Sequence, residues 1–240
     1  MKTNSFTTLT PRTIDSLKLF SALSDSIYIH KDRLLFNENH FGGEAILDQH
    51  LSTSPIKIDS NSWLEFLDSF NIPELKISKN KMEVRELNNN KSKVLFTDYE
   101  HGITLPVIDS IEVSNIEYQT RIEKSQIRQI KELIDATAQK KGRFTNGNPT
   151  RTKIIFTNKR KKQIIRIEDR NHGITTSEIH VDAEATKKKY EYIHAYKLIR
   201  FLPDEHYSVQ CSCKQYLSEW FCYERHMKFS LDMVKKSYAN

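Results

Sequence analysis

The chain of 240 residues has few of the residues that hold small or irregular folds together. It contains three cysteines, six glycines and six prolines. An odd cysteine count argues against a disulfide framework and favours a reducing compartment. So few glycines and prolines leave no long flexible linker and no glycine-rich phosphate loop. We therefore expect the chain to depend on ordinary hydrophobic cores for its stability.

Long apolar runs are also missing. Apolar runs such as Ile154–Phe156 are far shorter than the roughly 20 residues that a membrane helix needs. Residues 1–10 lack the apolar core of a signal peptide. We expect a soluble, intracellular protein with no membrane partner.

The sequence carries no recognisable catalytic motif. Its nine histidines are scattered, without a zinc-protease helix or a nucleophile elbow. Two acidic clusters, Asp98–His101 and Glu168–Asp169, could hold a metal as nuclease carboxylates do, although acidic loops of this kind usually face solvent. We predict that the protein is not an enzyme and needs no cofactor.

The cysteines are late in the chain, at Cys211, Cys213 and Cys222, with His226 close by. Four such side chains could ligate zinc, but their spacing is not one of the common structural patterns. Cys211 and Cys213 also alternate with Tyr207 and Val209, as residues on one face of a strand do. Core thiols are the better interpretation, and no metal site is predicted.

The net charge is the first feature of the sequence that indicates a function. Lys and Arg number 37 against 31 Asp and Glu, a net charge of +6. This balance favours contact with a polyanion without proving it.

The order of predicted elements indicates an internal duplication. The first half begins with a helix over Arg12–Ser24, with Thr10 as its cap, and continues with a hairpin over residues 27–36. The second half has an amphipathic helix over residues 124–139, followed by a hairpin over residues 153–167. Each half then offers further strands, a short helix (Ser62–Phe70 or Ala195–Leu202), a proline and a meander of strands.

This pattern predicts an α+β protein of two similar domains, each with two helices and antiparallel sheets. The N-terminal domain would cover residues 1–108 and the C-terminal domain residues 120–240. Residues 109–119 would form an extended connector.

Three segments resemble the PCNA-like DNA sliding clamps: residues 13–36 (TIDSLKLF running into a hairpin), residues 124–137 (KSQIRQIKELIDAT) and residues 190–212 (YEYIHAYKLIRFLPDEHYSVQCS). The chain looks most like the two-domain clamps of tailed bacteriophages, which close as homotrimers. The resemblance covers nearly the whole chain and implies a processivity factor that encircles double-stranded DNA. It further implies a DNA polymerase and a clamp loader as partners, and the host cytoplasm as location.

The resemblance also implies that the helices line a pore and contact DNA without reading its sequence. Phosphate contacts from Lys and Arg supply such an attraction. The candidate DNA-binding residues are Arg12, Lys18, Lys124, Arg128, Lys131, Lys140, Lys141, Lys197 and Arg200. An ordinary solvated helix face is the alternative for all of them.

Client proteins of such clamps insert a short apolar peptide into a surface groove. By resemblance, the groove residues here are Val107, Ile108, Met233 and Val234, for which plain core packing is the alternative. One departure from the family is the basic net charge, since clamps are commonly acidic. It leaves a second hypothesis: a basic processivity or late-transcription factor that binds DNA directly without closing a ring.

Overall fold

The computed structural model describes residues 6–38, 41–61, 67–78, 81–88, 92–96, 116–139, 152–159, 162–169, 175–181, 190–195, 199–200, 202–212 and 217–237. The chain divides into two compact units. Unit 1 comprises Met1–Ser110 with Arg225–Met227, and unit 2 comprises Ile111–Glu224 with Lys228–Asn240. The break after Ser110 lies in the segment that the sequence analysis assigns to the connector.

The described residues of unit 1 form one long helix and eight strands. The helix α1 spans Pro11–Leu23. The strands are β1 (Thr7–Thr8), β2 (Ser26–Lys31), β3 (Arg33–Glu38), β4 (Phe41–Ile46), β5 (Ser52–Asp59), β6 (Pro73–Ser78), β7 (Lys81–Glu86) and β8 (Ser92–Phe96). They form two antiparallel sheets, in the orders β1-β6-β7-β8 and β4-β3-β2-β5.

The start of α1 is fixed by polar contacts from within unit 1. The Thr10 side chain accepts a hydrogen bond from the backbone of Thr13, and Pro11 occupies the first helical position. Both threonine hydroxyls donate to Asp48, at 2.8 and 2.7 Å. Burial alone would raise the pKa of Asp48, but these two hydrogen bonds, with the nearby charge of Arg12, hold it below its usual value. The helix cap is thus tied to the loop between β4 and β5.

The part of unit 2 that the structure describes has the same number of elements. The helix α2 spans Lys124–Gln139. The strands are β9 (Tyr118–Ile122), β10 (Thr152–Lys159), β11 (Lys162–Asp169), β12 (Thr175–Val181), β13 (Tyr190–Ala195), β14 (Tyr207–Ser212), β15 (Leu217–Cys222) and β16 (Met227–Ser237). The sheets run β9-β14-β15-β16 and β12-β11-β10-β13, and the eleven-residue β16 also pairs with β13.

The two units therefore share one topology. In each, a short strand precedes the long helix, and the next four strands form one sheet in which the fourth of them pairs with the first. Three later strands form a second sheet with the short strand, which pairs with the first of the three. Residues with helical backbone, 60–61 with 67–68 in unit 1 and 199–200 in unit 2, lie between the fourth and fifth strands after the helix. The predicted α+β duplication is confirmed at the level of strand order.

Helix burial follows the predicted periodicity. Ile127, Ile130 and Ile134 of α2 are buried, as are Leu17 and Phe20 of α1. An aromatic cluster lies in unit 2, where the ring of Phe156 is 5.6 Å from Trp220 and 5.9 Å from Tyr118. In the other unit, Phe36 lies edge-on between Phe20 and Phe41. Each unit has its own hydrophobic core.

One predicted helix boundary needs correction. Ala195 is the last residue of β13 and not the start of a helix. The predicted short helix Ser62–Phe70 is described only at its C-terminal residues, among which Leu67 and Phe70 are buried. Strand β9 begins at Tyr118, inside the predicted connector.

Cys211 and Cys222 are fully buried, in β14 and β15, as core thiols would be. Cys213 and the acidic cluster at residues 98–101 lie outside the described residues, as do the side chains of Glu168 and Asp169. Among the described residues, no helix is long and apolar enough to cross a membrane.

Candidate nucleic-acid interface

The polar face of α2 carries the three basic residues that the sequence predicts as DNA contacts. Lys124, Arg128 and Lys131 follow one another at spacings of four and three residues, so they lie on one side of the helix. The apolar stripe of isoleucines faces the unit 2 sheets. All three side chains are at least partly exposed.

Each of these cations has an acidic partner from the segment after the short helix. Nζ of Lys131 lies 2.6 Å from Oδ1 of Asp204, and Nε of Arg128 lies 3.1 Å from Oδ2 of the same carboxylate. Nζ of Lys124 lies 3.5 Å from Oε2 of Glu205. The hydrogen bond from Lys131, opposed by partial burial and reinforced by the neighbouring charges, lowers the pKa of Asp204. The carboxylate is therefore ionised at neutral pH.

A fourth predicted residue contacts the same face of α2 from another segment. A guanidinium nitrogen of Arg200 lies 3.3 Å from Oδ1 of Asp135 of α2. Four basic side chains thus meet three acidic ones, which leaves one net positive charge. The sequence analysis expected a plainly positive face, whereas the described surface is nearly neutral.

The acidic segment is held in place by its own contacts. The Tyr207 hydroxyl donates to the carbonyl of Pro203 at 3.1 Å. The two ring nitrogens of His206 lie 2.8 Å from Glu123 and 3.0 Å from Glu224. Both nitrogens can donate only in the imidazolium form. These contacts position Asp204 and Glu205 against α2.

In unit 1 the predicted contacts are Arg12 and Lys18 of α1. Nζ of Lys18 lies 2.6 Å from Oδ1 of Asp68, and both side chains are well exposed. Arg12 is half-buried and lies near the Asp48 carboxylate that caps the helix. Arg12 therefore supports the start of α1 as well as adding charge to it.

Exposed ion pairs of this kind are weak, contributing about 0–1 kcal/mol each. A phosphate group can therefore compete for the same lysine and arginine side chains. The arrangement permits sequence-independent contact with a polyanion, and each contact would displace a carboxylate.

The remaining predicted residues cannot be placed on this surface. Lys140, Lys141, Lys197, Val107 and Ile108 lie outside the described residues. The groove candidates Met233 and Val234 have a described backbone in β16, paired with His194 and Ile193 of β13, but their side chains are not described. The groove and these DNA contacts stay predictions.

Asp204 and Glu205 were not predicted from the sequence as part of this site. They were included in a segment recognised only for its proline and strand pattern. The local signal was present, since two acidic residues follow a short basic helix, but only the fold brings them to a helix 73 or more residues earlier.

Comparisons with known proteins bear on the fold. No protein-family model matches the chain, and no curated protein matches it in sequence. Solved structures do match. A protein described as a DNA polymerase III beta subunit, from Eubacterium rectale, has a TM-score of 0.71 at 13% identity, covering 96% of this chain and 66% of its own.

Two further structures agree with it. The DNA polymerase sliding clamp of Caulobacter crescentus has a TM-score of 0.68 at 9% identity, covering 96% of this chain and 65% of its own. The Helicobacter pylori beta clamp bound to a DNA ligase peptide has a TM-score of 0.61 at 11% identity, covering 98% and 68%. The chain spans about two thirds of the length of these proteins. With its duplicated helix and sheet topology, it has the fold of the DNA sliding clamps, in two similar domains.

Proposed function

We propose that this chain is a DNA sliding clamp, a non-enzymatic processivity factor that encircles duplex DNA and tethers a polymerase to it. The observation that carries the proposal is the clamp fold over 96% of the chain, at a TM-score of 0.71. Linkage to DNA in such a protein is topological, so the chain itself needs no nucleotide, metal or cofactor.

The ring would form by head-to-tail association of identical chains into a homotrimer. Two domains per chain favour this stoichiometry, by resemblance to the two-domain clamps of tailed bacteriophages. Among the described residues, β8 and β12 each lie at one edge of their sheet. Pairing β8 of one copy with β12 of the next would extend both sheets and cover edges that otherwise invite aggregation.

DNA would be held by the cations of α1 and α2, with Lys140, Lys141 and Lys197 as further contacts. Their attraction to phosphates is independent of sequence and falls with salt. The weak ion pairs on these helices suit a protein that must move along DNA, because no single contact is strong.

Polymerase and a clamp loader are the proposed partners. A client peptide with apolar anchors would bind in a groove that includes Val107, Ile108, Met233 and Val234. The Helicobacter pylori clamp, solved with a DNA ligase peptide, supports this mode of binding. As a clamp of the phage type, the protein would work in the cytoplasm of a bacterial host.

The decisive experiment compares retention on circular and linear DNA. The full chain is loaded onto nicked circular plasmid with its cognate loader, separated from free protein by gel filtration, and the plasmid is then cut once. A ring remains on the circle and is lost from the cut DNA. Equal retention on both would replace the proposal with direct binding by a basic processivity or transcription factor.

Light scattering supplies an independent check of the assembly. A trimer of 28.2 kDa chains has a mass near 85 kDa, from three times 28.2. A mass of 28.2 kDa at all concentrations, together with equal retention on cut plasmid, would contradict the ring.

A further inference from the structure

The same ion pair recurs in the two units. Lys18 in α1 and Lys131 in α2 are each the eighth residue of their helix, counted from Pro11 and from Lys124. In each case an aspartate oxygen lies 2.6 Å from the lysine Nζ. The preceding residue is buried in both helices, so the two lysines occupy equivalent positions on the polar side.

The aspartates also come from equivalent places in the fold. Asp68 lies between β5 and β6, and Asp204 lies between β13 and β14. Asp68 is the last described residue with helical backbone in this part of unit 1, and Asp204 follows the helical residues 199–200 of unit 2. The flanking sequences are unrelated, so the shared feature is a carboxylate opposite the long helix. A chance surface contact would not be expected at the same position of both units.

The carboxylates and a DNA backbone would compete for the same donors. A phosphate that approaches Lys131 must displace the Asp204 carboxylate, whose negative charge also repels it. Because these side chains remain partly exposed, a phosphate can displace the carboxylate. A phosphate contact with such a paired lysine is then less favourable than a contact with an unpaired lysine would be. The acids lower the affinity without removing the cations.

We propose that Asp68 and Asp204 are built-in counter-charges that hold the attraction between the long helices and DNA low. This inference rests on the proposed function and specifies how its DNA surface is tuned. A sliding protein needs enough positive charge to stay close to DNA, but not so much that its phosphate contacts stop it from moving. The two aspartates set that balance, Asp204 by pairing with two cations and Asp68 with one.

The test measures binding of the full chain to a 30-base-pair linear duplex by fluorescence anisotropy, from about 20 to 200 mM KCl. Asp204→Asn frees Arg128 and Lys131, and it should steepen the log–log salt dependence by up to about 1.8, since each phosphate contact adds about 0.9. Binding at 0.1 M KCl should tighten by about fivefold to tenfold. Asp68→Asn, which frees one lysine, should give about half the change in slope.

A matched control is Glu83→Gln. Glu83 forms a partly exposed ion pair with Lys81, at 3.3 Å, on strand β7. The substitution changes the net charge by the same amount as Asp204→Asn, and we expect less than a twofold change in affinity. A second control places Asp204→Asn in a chain that also carries Arg128→Ala and Lys131→Ala, where its effect should disappear.

Three results would overturn the inference: Asp204→Asn and Asp68→Asn bind no more tightly than the unchanged chain, Glu83→Gln tightens binding as much as they do, or the effect survives loss of the two cations. None of these results touches the proposed function, which depends on retention on circular DNA. Conversely, equal retention on cut and circular plasmid would rule out a closed ring. The salt dependence of DNA binding by the variants would still show whether the two aspartates weaken DNA contact with the helices.

Discussion

Replacing the three cations of α2 is the most direct test of which surface faces DNA. In the variant Lys124→Ala, Arg128→Ala, Lys131→Ala, the segment with Asp204 and Glu205 loses these three ion pairs with α2, and the surface becomes more acidic. We expect weaker binding to DNA and a flatter dependence on salt. The buried isoleucines of the helix are unchanged, so the fold and the assembly should persist.

The magnitude follows from the number of cations removed. Each phosphate contact contributes about 0.9 to the slope of log K against log salt, so three contacts give at most about 2.7. Lys131 has the least exposed side chain of the three, at 22%, and Arg128 the most, at 57%. We therefore expect Arg128→Ala alone to give a larger part of the change than Lys131→Ala alone.

The assay is anisotropy of a labelled duplex across a KCl series, with circular dichroism and light scattering to verify fold and mass. A charge-matched control is Lys57→Ala, Lys76→Ala, Lys81→Ala, three lysines on strands β5, β6 and β7. Its slope should stay close to that of the unchanged chain. An unchanged slope in the α2 variant, or an equal change in the control, would show that α2 does not face DNA.

Three further predictions concern stability. Asp48→Ala removes the acceptor for the Thr10 and Thr13 hydroxyls and should lower the free energy of unfolding by about 1–2 kcal/mol in chemical denaturation. Asp25→Ala, which removes an exposed carboxylate, is the control and should be nearly neutral. Equal losses of stability in the two variants would contradict the capping role. Trp220→Ala, at a fully buried site, should cost about 3–5 kcal/mol, whereas Tyr223→Ala, at an exposed turn, should cost less than about 0.5; the reverse order in denaturant melts would refute the core assignment. The folded state holds the pKa values of Asp48, Asp204 and Glu224 below their usual values. These carboxylates therefore stabilise the folded state above about pH 4, and this stabilisation is lost as the pH falls through the folded pKa values. The melting temperature should fall between pH 7 and pH 3, and a melting temperature that rises on acidification would contradict the prediction.

The sequence predicts the long helices well because their signals are local. Ile127, Ile130 and Ile134 recur at helical spacing, and Thr10–Pro11 is a recognisable start. The hairpins β2–β3 and β10–β11 were equally clear, since apolar runs flank polar turns. In the first of these, Lys31 at the end of β2 takes a positive φ of 58°, just before the turn.

Strands with weak local signals were missed. β4 contains Gly42 and Gly43, which lack the side chains that mark a strand, and β12 has mostly polar residues. β1 has only two residues, so its pairing with β6 depends on tertiary context. These strands form because a neighbouring strand offers an edge for pairing, and no local sequence pattern predicts them.

The charge balance of the candidate site was beyond sequence analysis for a related reason. The basic residues of α2 are visible as a periodic stripe, but their partners Asp204 and Glu205 are distant in sequence. A stripe read in isolation appears more positive than the folded surface is. Only the pairing of β9 with β14 brings the two segments together.

The long strand β16 has a consequence for the order of folding during synthesis. It pairs with both β15 and β13, so both sheets of unit 2 remain incomplete until residues 227–237 have left the ribosome. The strands described in unit 1 all lie within residues 7–96, so its sheets can form while the other unit is still being made, and only its Arg225–Met227 segment arrives late. Until β16 is added, β13 and β15 present bare edges, and a stalled nascent chain would expose them to chaperones or to another unfinished copy.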